Sequence, residues 1–190
     1  MRLGIFGGSF DPIHNAHLIV ARLACEQLGL DEVRFVVAAA QPLKPAGHGA
    51  TAEQRGAMVE LALADAPDFF VDHREVQRSG PSYTVDTLRD IAVERPGAEL
   101  VLLLGADVAA RFGSWHQPDE VRRLCQVAVF ARADLAAPNG FDLAVAVPPL
   151  AISSTEIRAR AAAGRSLIGW VPAKVADYIS GLRLYRSNQA

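Results

Sequence analysis

Two histidines three residues apart follow a glycine-rich turn near the start of the chain. The segment GGSFDPIHNAH occupies positions 7–17, directly after an apolar run. A helix that opens between Pro12 and Asn15 places His14 and His17 on one face of its first turn, where free N–H groups and the helix dipole favour an anion. Imidazoles donate hydrogen bonds to phosphate oxygens, and protonation strengthens those bonds. The segment indicates a phosphate site, and an ordinary turn with two surface histidines is the alternative.

The same segment fits neither of two common nucleotide-binding fingerprints. It lacks the GxGxxG spacing of a dinucleotide-binding turn and the GxxxxGK[ST] pattern of a P-loop. A metal site could use His14, His17 and Asp11, but no third histidine or HExxH frame accompanies them. Phosphate binding is therefore favoured over metal binding, and we predict no metal ligands among the side chains. We expect Asp11 and His73 to be structural.

A second segment suited to anions lies near the other end of the chain. Ser153, Ser154 and Thr155 place hydroxyls at a predicted helix start, and Arg158 follows one turn later. Hydroxyls, free amides and a guanidinium group together suit phosphate oxygens. An ordinary capped helix with a solvated arginine is the alternative, because capping boxes are common.

The bulk composition restricts the class of protein. The chain has 190 residues, of which 51% are hydrophobic, so it can bury a core and is not an extended disordered chain. A formal net charge of −2 argues against a general nucleic-acid binder. Two cysteines without motif spacing argue against a disulfide scaffold or a four-ligand zinc site. No signal peptide or membrane span is evident, so we predict a soluble, cytoplasmic protein.

Short apolar runs alternate with helical patterns along most of the chain. We predict strands at residues 2–6, 33–39, 69–72, 100–104 and 127–131, with 143–147 as a further candidate. Helices are predicted at residues 15–28, 51–64, 84–94, 153–163 and 172–180, and loops at 41–50 and 134–140. This order predicts one α/β domain over residues 1–190: a Rossmann-like, doubly wound parallel sheet with a small C-terminal helical segment. Ligands of such folds bind at the carboxyl ends of the strands.

The two anion-binding segments together resemble the nucleotidyltransferase superfamily that carries HxGH and ISSTxxR signatures. Within it the chain resembles the bacterial nicotinate-nucleotide adenylyltransferases, since PSYTVDTLRD, GADVAARFGSWHQ, ISSTEIR and VPAKVADYISGLRLY follow in that family's order. Two positions depart from the family's pattern. Ala16 replaces the glycine of HxGH, which brings a methyl group towards the expected adenosine. Leu43 stands before Lys44 where many members have a histidine, which removes one phosphate donor.

The resemblance implies a reaction. Nicotinate mononucleotide and ATP would give deamido-NAD (nicotinate adenine dinucleotide) and pyrophosphate, with Mg²⁺, in NAD biosynthesis. The expected partners are therefore these two nucleotides, with no nucleic acid and no membrane, and a homo-oligomer is left open. The alternatives are an adenylyltransferase acting on nicotinamide mononucleotide or phosphopantetheine, a metal-dependent hydrolase, and a non-catalytic NAD-sensing module.

The resemblance also assigns residues to the two substrates. His14, His17 and Arg158 are the implied catalytic residues. The implied ATP-binding residues are Gly8, Ser9, Phe10, His14, His17, Lys44, Gly105, Asp107, Ser153, Ser154, Thr155 and Arg158. The implied residues for nicotinate mononucleotide are Gly7, Gly8, Ser9, Lys44, Tyr83, Thr84 and Trp115.

Three of these assignments carry a specific chemical role. Asp107 would accept a hydrogen bond from a ribose hydroxyl, with a helix N-cap as the alternative. Trp115 would stack on the pyridinium ring, with an ordinary packed aromatic as the alternative. Backbone amides near Thr84, at a helix start, would bind the nicotinate carboxylate.

Overall fold

A parallel sheet forms the centre of the molecule. The computed structural model describes residues 1–39, 49–132 and 140–186. Within them six strands pair in the order β3-β2-β1-β4-β5-β6, every pair parallel. Their bounds are β1 (Arg2–Gly8), β2 (Glu32–Val37), β3 (Phe69–Asp72), β4 (Glu99–Gly105), β5 (Gln126–Arg132) and β6 (Leu143–Val147). This topology confirms the predicted doubly wound α/β fold, and the strand order reverses between β1 and β4.

The helices cover both faces of the sheet. They are α1 (Asn15–Leu28), α2 (Ala52–Leu63), α3 (Arg74–Gln77), α4 (Thr84–Glu94), α5 (Ala106–Ala109), α6 (Pro118–Leu124), α7 (Ser154–Ala162) and α8 (Ala173–Gly181), with a short 3-10 helix at Phe112–Ser114. The predictions for α1 and α4 were right at both ends. Sequence analysis missed α3, α5, α6 and the 3-10 helix. The predicted C-terminal helical segment consists of α7 and α8.

Local capping chemistry sets several of these helix ends. Gly29 closes α1 with a φ of 62°, a conformation that glycine adopts at little cost. Thr51 and Gln54 form the predicted capping box of α2, with the Gln54 N–H 3.2 Å from the Thr51 hydroxyl. Ser153 caps α7 by accepting the Glu156 N–H at 3.2 Å. These caps explain the end of α1 at Leu28 and the starts of α2 and α7, close to the bounds predicted from the sequence.

Two apolar cores lie on opposite faces of the sheet. Side chains alternate along a strand, so Leu103 of β4 enters one core and Leu102 enters the other, with 1% and 2% of their surfaces exposed. The first core also contains residues of α1, α2, α7 and α8, and the second contains residues of α4 and α6. β4 is therefore covered on both faces, as its continuous apolar run predicted.

The crossover connections leave a crevice at the sheet's centre. α1 follows β1 and packs in the first core, whereas α4 packs in the second core before the chain enters β4. The carboxyl ends of β1 and β4 consequently open between helices on different faces, which is where ligands bind in such sheets. None of the helices in the described part of the chain is long and apolar enough to cross a membrane.

Candidate active site

A cleft of about 780 Å³ opens at the carboxyl ends of β1 and β4. Its volume is within the range of about 300–1,000 Å³ that small-molecule sites occupy. The predicted site residues that line it are Gly7, Gly8, Ser9, Phe10, His14, His17, Tyr83, Thr84, Gly105, Asp107, Trp115 and Ser154. Ser153, Thr155 and Arg158 lie outside this lining. Lys44 and Leu43 lie outside the described residues.

The two glycines at the end of β1 have different surroundings. A Cβ on Gly7 would meet no atom within 4 Å, so a ligand can approach this backbone closely, whereas a Cβ on Gly8 would lie 2.8 Å from the Phe10 ring. Neither glycine has a positive φ, whereas Phe10 has a φ of 46°. Phe10 is 2% exposed and packs edge-on against Phe6 and His17. Burial of its ring therefore holds a backbone conformation that is costly for this residue type.

The histidine pair forms the first turn of α1, as predicted. His14 is the N-cap residue and His17 is three positions later, and their rings stack with centroids 3.7 Å apart. The backbone N–H of His14 donates to His17 Nδ1 at 3.2 Å, so the proton of the neutral His17 ring is on Nε2. His14 Nδ1 is buried and has no hydrogen-bond partner among the described residues. An unsatisfied buried nitrogen of this kind costs free energy of folding.

The two imidazoles are neutral at pH 7 when no anion lies beside them. Burial lowers the pKa of His14 from 6.5 to about 4. Burial, and secondarily the charge of His14, lowers the pKa of His17 well below 6.5. The protonated rings expected from the sequence therefore require a bound anion, since an opposite charge nearby raises a histidine pKa. Without a bound anion, both rings are neutral imidazoles that carry an N–H donor.

The start of α1 also has fewer free amides than expected. The Asn15 N–H donates to the Trp170 carbonyl at 3.0 Å, and the His17 N–H donates to the His14 carbonyl at 2.9 Å. Two of the first three amides of the helix thus have protein acceptors. Anion binding at this point consequently depends more on the imidazoles than on backbone amides.

The segment near the C-terminus meets the N-terminal turn, as predicted. The Ser154 hydroxyl donates to the Pro12 carbonyl at 3.0 Å. Arg158 Nη1 donates to the Asp11 carbonyl at 2.8 Å, and Nη2 lies 3.4 Å from the Thr155 hydroxyl. Two of the five N–H donors of Arg158 are therefore engaged by the protein. Arg158 therefore holds the turn that leads into the histidines. The resemblance implied only catalysis and ATP binding for this residue.

The hydroxyl cluster at the start of α7 is divided in function. Ser154 lines the cleft. The Ser153 hydroxyl oxygen instead accepts the Glu156 N–H as an ordinary N-cap. The sequence predicted that Ser153, Ser154 and Thr155 would all hold phosphate. In the structure only Ser154 is placed to reach a ligand in the cleft.

Asp107 follows β4 at the cleft, where a sugar hydroxyl could reach it. The N-cap of α5 is Gly105, and Asp107 lies in the first turn, so the N-cap alternative for Asp107 is wrong. A Cβ on Gly105 would lie 2.8 Å from Asp107 Oδ1. The glycine thus leaves room for this carboxylate beside the strand end.

Aromatic residues surround the other end of the cleft. Trp115 lies 5.2 Å from Phe112, centroid to centroid, and Tyr83 lies 4.4 Å from His116. Trp115 packs against the second core, as an ordinary packed aromatic would. It also lines the cleft, where it could stack on a ring. Tyr83 is the N-cap of α4 and makes no side-chain capping bond. The first two amides of α4, those of Thr84 and Val85, have no acceptor among the described residues and can bind a carboxylate, whereas the Asp86 N–H donates to the Tyr83 carbonyl at 3.0 Å.

Sequence reasoning missed several polar residues of the lining. Arg111 and His116 line the cleft and lie inside the motif GADVAARFGSWHQ, where their side-chain types were a usable signal. Glu75 belongs to the unpredicted helix α3 and accepts the Thr87 hydroxyl at 2.8 Å. Burial raises the pKa of Glu75 above its ordinary value.

The residues expected to be structural lie apart from the cleft lining. His73 Nε2 pairs with Glu60 Oε1 at 2.8 Å and packs against Gly56. The Asp11 carboxylate accepts the N–H groups of Gly49 and Ala50 at 2.7 and 3.1 Å. Within the described ranges, no group of three or more His, Cys, Asp or Glu residues is arranged to hold a metal ion.

Comparisons with known proteins agree with this geometry. The model of the cytidylyltransferase-like family matches residues 5–160. A Thermus thermophilus protein described as a probable nicotinate-nucleotide adenylyltransferase is 44% identical over 194 residues, covering 98% of this chain and 100% of that protein. A Salinibacter ruber protein with the same description is 42% identical and covers 98% of each chain.

Solved structures show the same fold. A Plasmodium falciparum nicotinic acid mononucleotide adenylyltransferase complexed with NaAD superposes with a TM-score of 0.81 at 21% identity, covering 97% of both chains. The same protein complexed with APC gives a TM-score of 0.76 at 20% identity, covering 97% of this chain and 96% of that one.

The buried state of His14 predicts how stability depends on pH. Between its folded pKa of about 4 and its ordinary value of 6.5, the unfolded chain binds a proton that the folded chain does not. Stability is therefore complete above pH 6.5 and falls as the pH drops, by up to about 1.4 kcal/mol per pH unit. His14→Asn, which keeps a favourable N-cap type, should flatten this slope. Urea unfolding at several pH values between 4 and 7 measures both slopes, and parallel curves for the two proteins would contradict the assignment.

Proposed function

Because the chain belongs to the nicotinate-nucleotide adenylyltransferase family, within the cytidylyltransferase-like proteins, we propose that it joins nicotinate mononucleotide to the adenylyl group of ATP. The products are nicotinate adenine dinucleotide and pyrophosphate. One observation carries the proposal: a single cleft runs from the His14–His17 pair to Trp115 across the point where the strand order reverses. It offers phosphate donors at one end and an aromatic pocket at the other.

The reaction needs no nucleophile from the protein. A 5′-phosphate oxygen of the mononucleotide attacks the α-phosphorus of ATP in line and forms the new P–O bond. The bond from the α-phosphorus to the oxygen that bridges to the β-phosphate breaks, and pyrophosphate leaves with the electron pair. Neither cysteine would compete, because burial raises the thiol pKa of Cys25 to about 11 and of Cys125 to about 12.

The protein contributes alignment and hydrogen bonds to developing negative charge. Gly7 lets the backbone approach the reacting phosphates, and His17 and His14 donate from one face of α1. Ser154 lines the cleft from α7, and its hydroxyl donates to the Pro12 carbonyl and so holds the turn before His14. Fixed donors of this kind stabilise a transition state without reorganising during the reaction.

Magnesium enters this proposal with the nucleotide. The donors beside the phosphate end are imidazole nitrogens and hydroxyls, and the Asp11 carboxylate is occupied by backbone and tyrosine donors. Such a set suits Mg²⁺ held by phosphate oxygens and water, which is the usual binding of this ion with nucleotides. Bound there, the ion would neutralise phosphate charge, and the protein's own residues would align the two substrates.

The ring end of the cleft favours nicotinate. The Trp115 and Tyr83 rings suit a flat heterocycle, and the first amides of α4 suit a carboxylate. Arg111 adds a cation to the lining, and the described residues contain no ion pair or hydrogen bond to its guanidinium. The Plasmodium falciparum structure of the same fold is complexed with NaAD, the product that this proposal requires. The cytoplasmic location and the absence of a nucleic-acid partner stay predictions.

The reaction itself is tested by pyrophosphate release. The purified protein with MgATP and nicotinate mononucleotide should release pyrophosphate, with kcat/KM at least about tenfold above that for nicotinamide mononucleotide, the scale of about 1.4 kcal/mol of discrimination. Phosphopantetheine should not serve as acceptor. Release with phosphopantetheine alone would move the chain to a different acceptor class, and no release with any acceptor would favour a sensing role. Hydrolysis without an acceptor would favour the hydrolase alternative.

Loss of the His17 imidazole should slow the chemical step. His17→Ala is expected to lower kcat by about 10²–10³, the usual loss when one oxyanion donor is removed. His73→Ala, outside the cleft, is the matched control and should keep the wild-type rate. The measurement is steady-state kcat with circular dichroism melting for both variants. A rate for His17→Ala within a few-fold of wild type would remove this histidine from the mechanism.

Loss of the Trp115 ring should affect one substrate more than the other. Trp115→Ala should raise KM for nicotinate mononucleotide about tenfold, because stacking and cation–π contact are each worth about 1 kcal/mol, and should change KM for ATP much less. Trp170→Phe tests the other tryptophan, which stacks under Arg160 away from the cleft, and should change neither constant. Equal increases in both constants for Trp115→Ala would place the ring outside the pyridine pocket.

A further inference from the structure

The last described turn of the chain reaches back to the phosphate end of the cleft. Tyr185 lies after α8, 174 positions from Asp11, and its hydroxyl donates to Asp11 Oδ1 at 2.8 Å. Burial, and secondarily the negative charge of Asp11, raises the pKa of this phenol. Tyr185 is therefore a permanent hydrogen-bond donor to a carboxylate that is itself 5% exposed.

The Asp11 carboxylate joins three parts of the chain. It belongs to the turn after β1, it accepts the N–H groups of Gly49 and Ala50 just before α2, and it accepts the hydroxyl of Tyr185. Charge-assisted bonds of this kind are shorter and stronger than neutral ones. The carboxylate thus ties the C-terminal turn to the segment that leads into His14.

Tyr185 and Arg158 also pack on the same glycine. A Cβ added to Gly49 would lie 2.9 Å from the Tyr185 ring and 3.2 Å from Arg158 Cδ. Arg158 in turn donates to the Asp11 carbonyl at 2.8 Å. The position of the Arg158 guanidinium therefore depends on where the Tyr185 ring and the Asp11 backbone lie.

The backbone carbonyls of the same turn are held from several directions. Arg55, 1% exposed, donates to the Ser9 carbonyl at 2.7 Å and to the Ala39 carbonyl at 3.1 Å. Arg158 holds the Asp11 carbonyl and Ser154 holds the Pro12 carbonyl. Two helices therefore hold the turn through its carbonyls, and the Asp11 side chain is the point at which the C-terminus joins them.

We infer that Tyr185 is a positioning residue of the phosphate site: its hydrogen bond to Asp11 holds the turn before His14 and the Arg158 guanidinium in the geometry that binds the triphosphate. This inference rests on the proposed function for the identity of the anion. Tyr185 touches no reacting atom in this account and acts through Asp11 and Arg158. The C-terminal turn is consequently part of the ATP site although it lies outside the cleft lining.

The test removes the hydroxyl and keeps the ring. In the full chain, Tyr185→Phe should weaken equilibrium ATP binding about five- to tenfold, the upper part of the range for one intramolecular hydrogen bond, with KM for nicotinate mononucleotide within twofold of wild type. Tyr178→Phe removes the hydroxyl of the tyrosine in α8, which makes no described contact with Asp11, and should change neither value. Calorimetric titration of ATP without an acceptor gives the affinity independently of turnover.

A double-variant cycle separates positioning from general stability. If Tyr185 acts through Arg158, Tyr185→Phe should have little further effect on ATP affinity in an Arg158→Lys background, because coupled residues are non-additive. Additive losses, unchanged ATP affinity in Tyr185→Phe, or a parallel loss for both substrates that follows the melting temperature would each overturn the inference. Wild-type protein that binds ATP and releases no pyrophosphate would instead contradict the proposed function.

Discussion

The contact between the turn after β1 and the start of α7 is the interaction on which the site depends. It joins segments more than 140 positions apart through Ser154 to the Pro12 carbonyl and Arg158 to the Asp11 carbonyl. Without it the histidine turn would be an exposed loop at a strand end, and the hydroxyls of α7 would be an ordinary cap. The sheet makes the contact possible, since its strand order places β1 at the centre, and α7, which follows β6, packs in the same core as α1.

Regular periodicity and capping chemistry made most of the fold predictable. The apolar run of β4 and the 3.6-residue pattern of α1 are local signals, and both elements were found. The missed helix α6 carried a signal of its own, with Pro118 at its start, acidic residues in its first turn and Arg122 and Arg123 in its last. The four-residue helices α3 and α5 have no comparable periodicity, because one turn contains too few residues to show it.

The residue types of the site could be predicted from the sequence better than their charges and backbone conformations. Most of the residues that the resemblance implied for the site line the cleft. The neutral charge of His14 and His17, by contrast, follows from burial, which the sequence does not display. The positive φ on Phe10 follows from packing of its ring against Phe6 and His17. Asp11 was expected to be structural, yet its link to Tyr185 is a contact across nearly the whole chain, which no local pattern reveals.

A site of this kind must bind a polyanion without becoming unstable when the anion leaves. Permanent charges inside the cleft would repel one another in the unliganded protein and cost free energy of folding. Here the buried Arg55 and the partly exposed Arg158 bond to backbone carbonyls of the turn and lie near the Asp11 carboxylate. The His14 and His17 rings are neutral in the unliganded protein and gain charge when an anion raises their pKa. The fixed cations therefore shape the turn, and the titratable rings adapt to the ligand.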